Sequence, residues 1–191
     1  MLHLILGAFS FLMFLCYDLN NITARSFAGK ALFPLAALLL LYATIQAAVL
    51  PSDGFLPPVF LRILFWALAA VFLLLLAYTL LIVMVLPVPA DPTRPPAVYD
   101  RGVYALCRHP GVLWFAGAYF SAWLAMGKNS LLAAAFLFSL LNLLYVVIQD
   151  RFIFPRQFPE YPAYQASVPF LIPNFESVKR CLETLKASEE F

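Results

Sequence analysis

Charge is what this sequence has least of. Asp, Glu, Lys and Arg together make up 12% of its 191 residues, where a soluble domain carries about a quarter. The surplus of Lys and Arg is a net +2, too small for the basic face that a nucleic-acid partner requires. Cysteine is scarce as well. Cys16, Cys107 and Cys181 have no metal-ligand spacing, and three scattered thiols build no disulfide framework. Neither a metal site nor a covalent staple is therefore expected.

What is there instead is apolar. Hydrophobic residues reach 64%, and they come in runs long enough to cross a bilayer, which takes about 20 residues each. Five runs qualify: Leu2 to Tyr17, Ala31 to Leu50, Ile63 to Leu86, Val112 to Met126 and Leu131 to Ile148. The first lacks a basic leader, so it is not expected to be a cleaved signal. Backbone groups inside a bilayer must pair within their own segment, so the runs must be helices. Gly127-Lys128-Asn129-Ser130 joins the last two tightly and predicts an antiparallel helical hairpin. The expected fold is an all-α membrane protein of five transmembrane helices, with helices 4 and 5 as that hairpin.

Orientation follows from the basic residues. Arg25, Lys30, Arg94, Arg101, Arg108, Arg151, Arg156, Lys179, Arg180 and Lys186 fall on one side, and only Arg62 and Lys128 on the other. The expectation is an N-terminus outside and a C-terminus in the cytosol.

Two cytosolic segments carry the remaining chemistry. Pro87 to Pro110 holds six prolines and cannot be one helix; it is expected to be a stiff, extended crossing. Asp100 is placed to cap a short helix over Val103 to Cys107, and Pro110 suits the first turn of the fourth span. Arg108 and His109 then sit where a helix enters the membrane, and a helix start beside a guanidinium favours an anion. Arg108 also reads as a plain positive-inside anchor. The second segment runs from Gln149-Asp150-Arg151 to Pro173. It is broken by prolines, with seven aromatics between Phe152 and Phe175, a composition that suits an interfacial belt or a lid. Because the two spans are antiparallel, Arg108, His109 and Asp150 should converge on one cytosolic opening. The tail from Glu176 to Ser188 is amphipathic, with Val178, Cys181, Leu182 and Leu185 on one face and Glu176–Arg180 and Lys179–Glu183 at i,i+4 spacing.

Gly102-x-Tyr104-x-x-x-Arg108-His109-Pro110, followed by a hairpin and then Gln149-Asp150-Arg151-Phe152-Ile153, Phe158-Pro159-Glu160-Tyr161-x-x-Tyr164, Val168-Pro169 and Ile172-Pro173, resembles the isoprenylcysteine carboxyl methyltransferase and phospholipid methyltransferase family of membrane enzymes. The resemblance spans about Tyr99 to Pro173. Within it, Val112 and Trp114 stand where the family has tyrosine and glycine, and Gln149-Asp150 where it has paired glutamates. The resemblance implies methyl transfer from S-adenosylmethionine to a lipophilic acceptor, a membrane lipid or a prenylcysteine-like group. The implied cofactor-binding residues are Tyr104, Arg108, His109, Gln149, Asp150, Tyr161 and Tyr164. Arg108 and His109 suit the donor's carboxylate, Asp150 its ammonium or ribose, and the aromatics its adenine or sulfonium. The chain then divides into three spans (1–87), a cytosolic connection (88–110), the hairpin (111–148), a cofactor-covering segment (149–175) and an amphipathic tail (176–191). A non-catalytic relative that binds a lipid or a membrane partner is the alternative.

Overall fold

The structure is a computed structural model that describes residues 1–85 and 97–187. Pro87 to Pro96 of the expected extended crossing, with Arg94 in it, and Leu86 and Ser188 at two expected helix ends, lie outside the described residues. The described chain is helical: α1 (Leu2–Ile22), α2 (Phe27–Lys30), α3 (Leu32–Val49), α4 (Val59–Val85), α5 (Val103–Leu106), α6 (Pro110–Met126), α7 (Asn129–Ile148), a π-turn (Gln149–Ile153), α8 (Phe154–Gln157), α9 (Tyr161–Ser167) and α10 (Phe175–Ala187). It contains no strand among the described residues, only an isolated bridge between Gly54 and Lys128.

Four stretches are long and apolar enough to cross a membrane: Leu2–Ile22, Phe27–Val49, Val59–Ile82 and Asn129–Gln157. Only 6% of the third is buried inside the protein, so most of its leucines face outward, which is tolerable only against lipid. The chain is therefore a multi-pass membrane protein. α6, with 17 residues, is shorter than these four.

Small residues let the helices approach closely, as they must where lipid provides no hydrophobic drive for association. Ala43, Ala47, Ala134 and Ala135 are fully buried in one core with Phe11, Tyr119, Leu131 and Phe138. α1 runs parallel to α7: Gly7 lies against the Phe138 ring, Phe14 against Tyr145, and Asp18 bonds Gln149. The Thr44 and Tyr119 hydroxyls bond each other between α3 and α6. α4 runs antiparallel to α6, with Phe72 beside Gly117 and Trp114, and Leu76 and Thr79 beside Gly111.

At one end the two loops lock together. Phe55 N–H donates to Gly127 O at 2.9 Å and Asn129 N–H to Asp53 O at 2.9 Å. Gly127, at φ +67°, closes α6 in the left-handed region that favours glycine. α7 starts at Asn129, so the connection is two residues, shorter than the four expected. Lys128 Nζ donates to the carbonyls of Ala48 (2.7 Å), Val49 (3.3 Å) and Leu50 (3.2 Å), which caps the negative end of α3. Lys128→Met is expected to cost about 1 kcal/mol, seen as a lower thermal midpoint in nanodiscs, while Lys128→Arg keeps most of it.

At the opposite end the short helices gather. Asp100 does not cap α5. Gly102 occupies the cap position at φ +57°, and its carbonyl receives Ala105 N–H at 3.0 Å. Gly102 N–H in turn donates to Thr184 Oγ1 at 3.0 Å, docking α10 by the face that carries Ser177, Cys181 and Thr184. Phe175, Val178 and Leu182 are exposed beside that docked face. Of the two i,i+4 pairs, Lys179–Glu183 is met loosely at 3.9 Å, and Arg180 instead donates to Ser167 O at 3.2 Å.

Candidate functional site

Pro110 opens α6, and its ring removes an N–H that the first helical turn could not have satisfied. The two preceding residues attach to the segment after α9. Arg108 N–H donates to Pro169 O at 2.9 Å and His109 N–H to Phe170 O at 3.3 Å. This attachment aims both side chains at the C-terminal end of α7.

Asp150 is what they meet. Arg108 grips it through two bonds, Nε to Oδ1 at 2.8 Å and Nη2 to Oδ2 at 3.1 Å. His109 Nε2 lies 3.1 Å from Oδ1, Tyr161 OH donates to Oδ1 at 2.6 Å, and Gln165 Nε2 donates to Oδ2 at 3.1 Å. Nη1 of Arg108 donates to the carbonyls of Gln165 (2.9 Å) and Val168 (2.6 Å). The Arg108 and Asp150 side chains are only 11% and 7% exposed. The charges are desolvated, and the fork-on-fork geometry with its added donors is what makes such burial tolerable.

The π-turn explains how Asp150 reaches this position. Phe154 N–H bonds Gln149 O, five residues back. Residue 155 is proline and has no N–H to offer. The Asp150 carbonyl thus lacks both ladder donors, and Gln165 Nε2 takes it at 2.9 Å. One glutamine from α9 therefore holds both the main chain and the carboxylate of Asp150.

Aromatic rings close over the ion pair. His109 stacks on Phe154 (centroids 6.0 Å, 13°) and meets Phe170 edge-on at 5.1 Å. The Arg108 guanidinium lies 5.6 Å from the Phe170 centroid. Tyr161, Tyr164 and Val168 form a small core with Val98, Phe154 and Phe158. Burial pushes both phenols up from their ordinary value, so Tyr161 stays protonated and donates to Asp150. Beside this cluster a cavity of about 430 Å³ is lined by Val98, Asp100, Glu160, Ala163, Tyr164 and Ser167.

Four of the seven residues expected at the site come together: Arg108, His109, Asp150 and Tyr161. Three do not. Tyr164 OH donates to Tyr104 O at 2.7 Å, and Tyr104 OH to Thr79 O on α4 at 3.0 Å; these two phenols tie α9 to α5 and α5 to α4. Gln149 turns away to α1, where its amide donates to Asp18 Oδ2 at 2.8 Å. Successive helical residues point about 100° apart, so Gln149 and Asp150 serve different sides. Trp114 faces α4, stacked on Phe72 at 6.3 Å and 27°, and Val112 is buried. Burial lifts the Cys107 thiol to about 11, which keeps it protonated and inert at neutral pH.

Sequence reasoning missed Gln165 and Asp18. Gln165 stands one helical turn after Tyr161, a spacing that puts both on one face. Asp18 is a carboxylate at the end of an apolar run, a position that in membrane proteins marks a paired or functional group.

Together these elements define a helical multi-pass membrane protein with a buried ion-pair centre at one end of its bundle. The chain matches no protein-family model, no curated protein and no solved structure.

Proposed function

We propose that the protein is a methyltransferase that moves a methyl group from S-adenosylmethionine to a lipophilic acceptor, a membrane lipid or prenylcysteine-like group, at the cytosolic face. In this reading α1, α3, α4, α6 and α7 are five spans, α6 and α7 are the hairpin, and the N-terminus is outside. At 17 residues α6 covers about 26 Å, close to the hydrocarbon thickness. Alternating directions of the five helices agree, and so does the split of ten basic residues against Arg62 and Lys128.

The observation that carries the reading is the meeting of two separate sequence blocks on one carboxylate. Arg108 and His109 come from the first, Asp150 and Tyr161 from the second. The residues fit the methionine part of the donor by charge. A guanidinium beside a carboxylate matches a zwitterion, with Arg108 holding its carboxylate and Asp150 its ammonium in place of each other. When bound, the cofactor supplies an electrophilic methyl group. Tyr161 and His109 keep Asp150 oriented, and the rings of Phe154, Phe158 and Phe170 exclude water from the charges, which strengthens their grip. The test is transfer of a labelled methyl group from the donor into the organic phase of a lipid extract. Label is expected with the wild type and at background with Asp150→Asn.

A second reading, a non-catalytic relative binding a lipid or a membrane partner, is favoured by one observation. Both oxygens of Asp150, and Nε, Nη1 and Nη2 of Arg108, already bond protein groups. A folded wild type that binds no donor and transfers no label supports this reading over the first.

A further inference from the structure

Asp18 lies outside everything the two sequence blocks contain. It sits near the end of α1, 8% exposed, and its Oδ2 accepts two bonds from the α7 side. Tyr145 OH donates at 2.6 Å and Gln149 Nε2 at 2.8 Å. Gln149 Nε2 also lies 2.9 Å from the Tyr145 hydroxyl, which closes a triangle of three side chains. A carboxylate held this way at the edge of a bilayer is costly unless its partners stay in place.

Gln149 is the first residue of the π-turn, and its carbonyl is the acceptor that closes the turn onto Phe154 N–H. Its side chain is anchored to α1 while its main chain sets the register of everything that follows. In ordinary α-register Phe154 N–H would instead bond Asp150 O, removing the gap that Gln165 fills. The next side chain, Asp150, would swing on its axis away from Arg108. Short π-segments of this kind concentrate at functional sites.

From this we infer that Asp18 is a positioning residue: acting through Gln149, it fixes the π-turn register that presents the Asp150 carboxylate to Arg108. The inference rests on geometry and is independent of methyl transfer. It also gives the N-terminal half, which carries no motif, a defined task in assembling the C-terminal site.

The Arg108 side chain provides the readout. Its Nε–H donates to a carboxylate, and such a charge-assisted bond moves the proton resonance downfield. Protein labelled with ¹⁵N-arginine is placed in nanodiscs, and the Arg108 Nε–H signal is assigned by its loss in Arg108→Lys. Asp18→Leu and Gln149→Leu are each expected to shift that signal most of the way to its position in Asp150→Asn. Asp18→Asn keeps a side-chain oxygen for both donors and is expected to hold it near the wild-type position. Thr44→Val, which removes the α3–α6 hydroxyl bond elsewhere in the bundle, is expected to leave it unmoved. Should Asp18→Leu fail to fold, Gln149→Leu carries the test, since it adds an apolar side chain to an apolar helix. A wild-type signal in Gln149→Leu, or an equal shift in Thr44→Val, overturns the inference.

Discussion

Asp150→Asn is expected to cost about 3–5 kcal/mol of stability and to abolish donor binding. The size follows from what is left behind. Arg108 keeps its positive charge, is 11% exposed, and retains only the carbonyls of Gln165 and Val168 as strong partners. Tyr161 and Gln165 lose a charged acceptor at the same time. Most of this cost is the penalty of an uncompensated buried charge, and much less is the net worth of the ion pair. Replacing both partners by apolar groups tests that division. Arg108→Met with Asp150→Leu is expected to recover most of the lost stability, because desolvation nearly offsets the attraction in such pairs. It is expected to recover none of the binding. Thermal unfolding in nanodiscs, run beside donor titration, separates the two effects. A double variant that stays as unstable as Asp150→Asn makes the pair itself the source of stability.

The second large effect lies in the bundle, away from all polar chemistry. Gly7→Val is expected to be more harmful than its small change in size implies. A Cβ at Gly7 would overlap the outer edge of the Phe138 ring, and Phe138 is fully buried among Phe11, Tyr119 and the alanines. The ring cannot retreat, because Phe11 and Tyr119 already meet it at 6.4 and 5.8 Å. Overpacking of this kind costs about 1–3 kcal/mol, and here the α1–α7 contact that carries Asp18 toward Gln149 opens as well. Phe138→Ala leaves a hole and is expected to cost about 3–5 kcal/mol. The two changes share one space, so their combination is expected to cost clearly less than their sum. Unfolding of the four proteins in a denaturant series checks this, and additive costs rule out the close approach.

Four of the apolar helices were legible because a bilayer imposes a length and a composition that few other structures need. Their ends were less so. The first apolar run ends at Tyr17, and Asp18 follows it. α1 continues to Ile22 because Tyr145 and Gln149, more than a hundred residues on, satisfy that aspartate. The convergence of Arg108, His109 and Asp150 was legible for a topological reason: an antiparallel pair brings its first and last residues to one end. Gln149 and Tyr104, which the resemblance implies as cofactor-binding residues, direct their side chains to α1 and α4. Sequence adjacency placed Gln149 beside Asp150, but helical geometry turns neighbours to different faces. Tyr104 lies near the mouth by its main chain, while its hydroxyl goes to Thr79 on α4. Gln165 could not be singled out because its task exists only once the π-turn and Pro155 strip the Asp150 carbonyl of its donors.

The proposed methyl transfer requires this buried pair to open and take the zwitterionic end of S-adenosylmethionine. Isothermal titration of the donor into the folded protein in nanodiscs addresses it most directly, with the Arg108→Met and Asp150→Leu double variant as the folded control. The account predicts saturable heat for one donor per chain in the wild type and none in the double variant. No heat from folded wild-type protein at millimolar donor, or equal heat from both proteins, would contradict it.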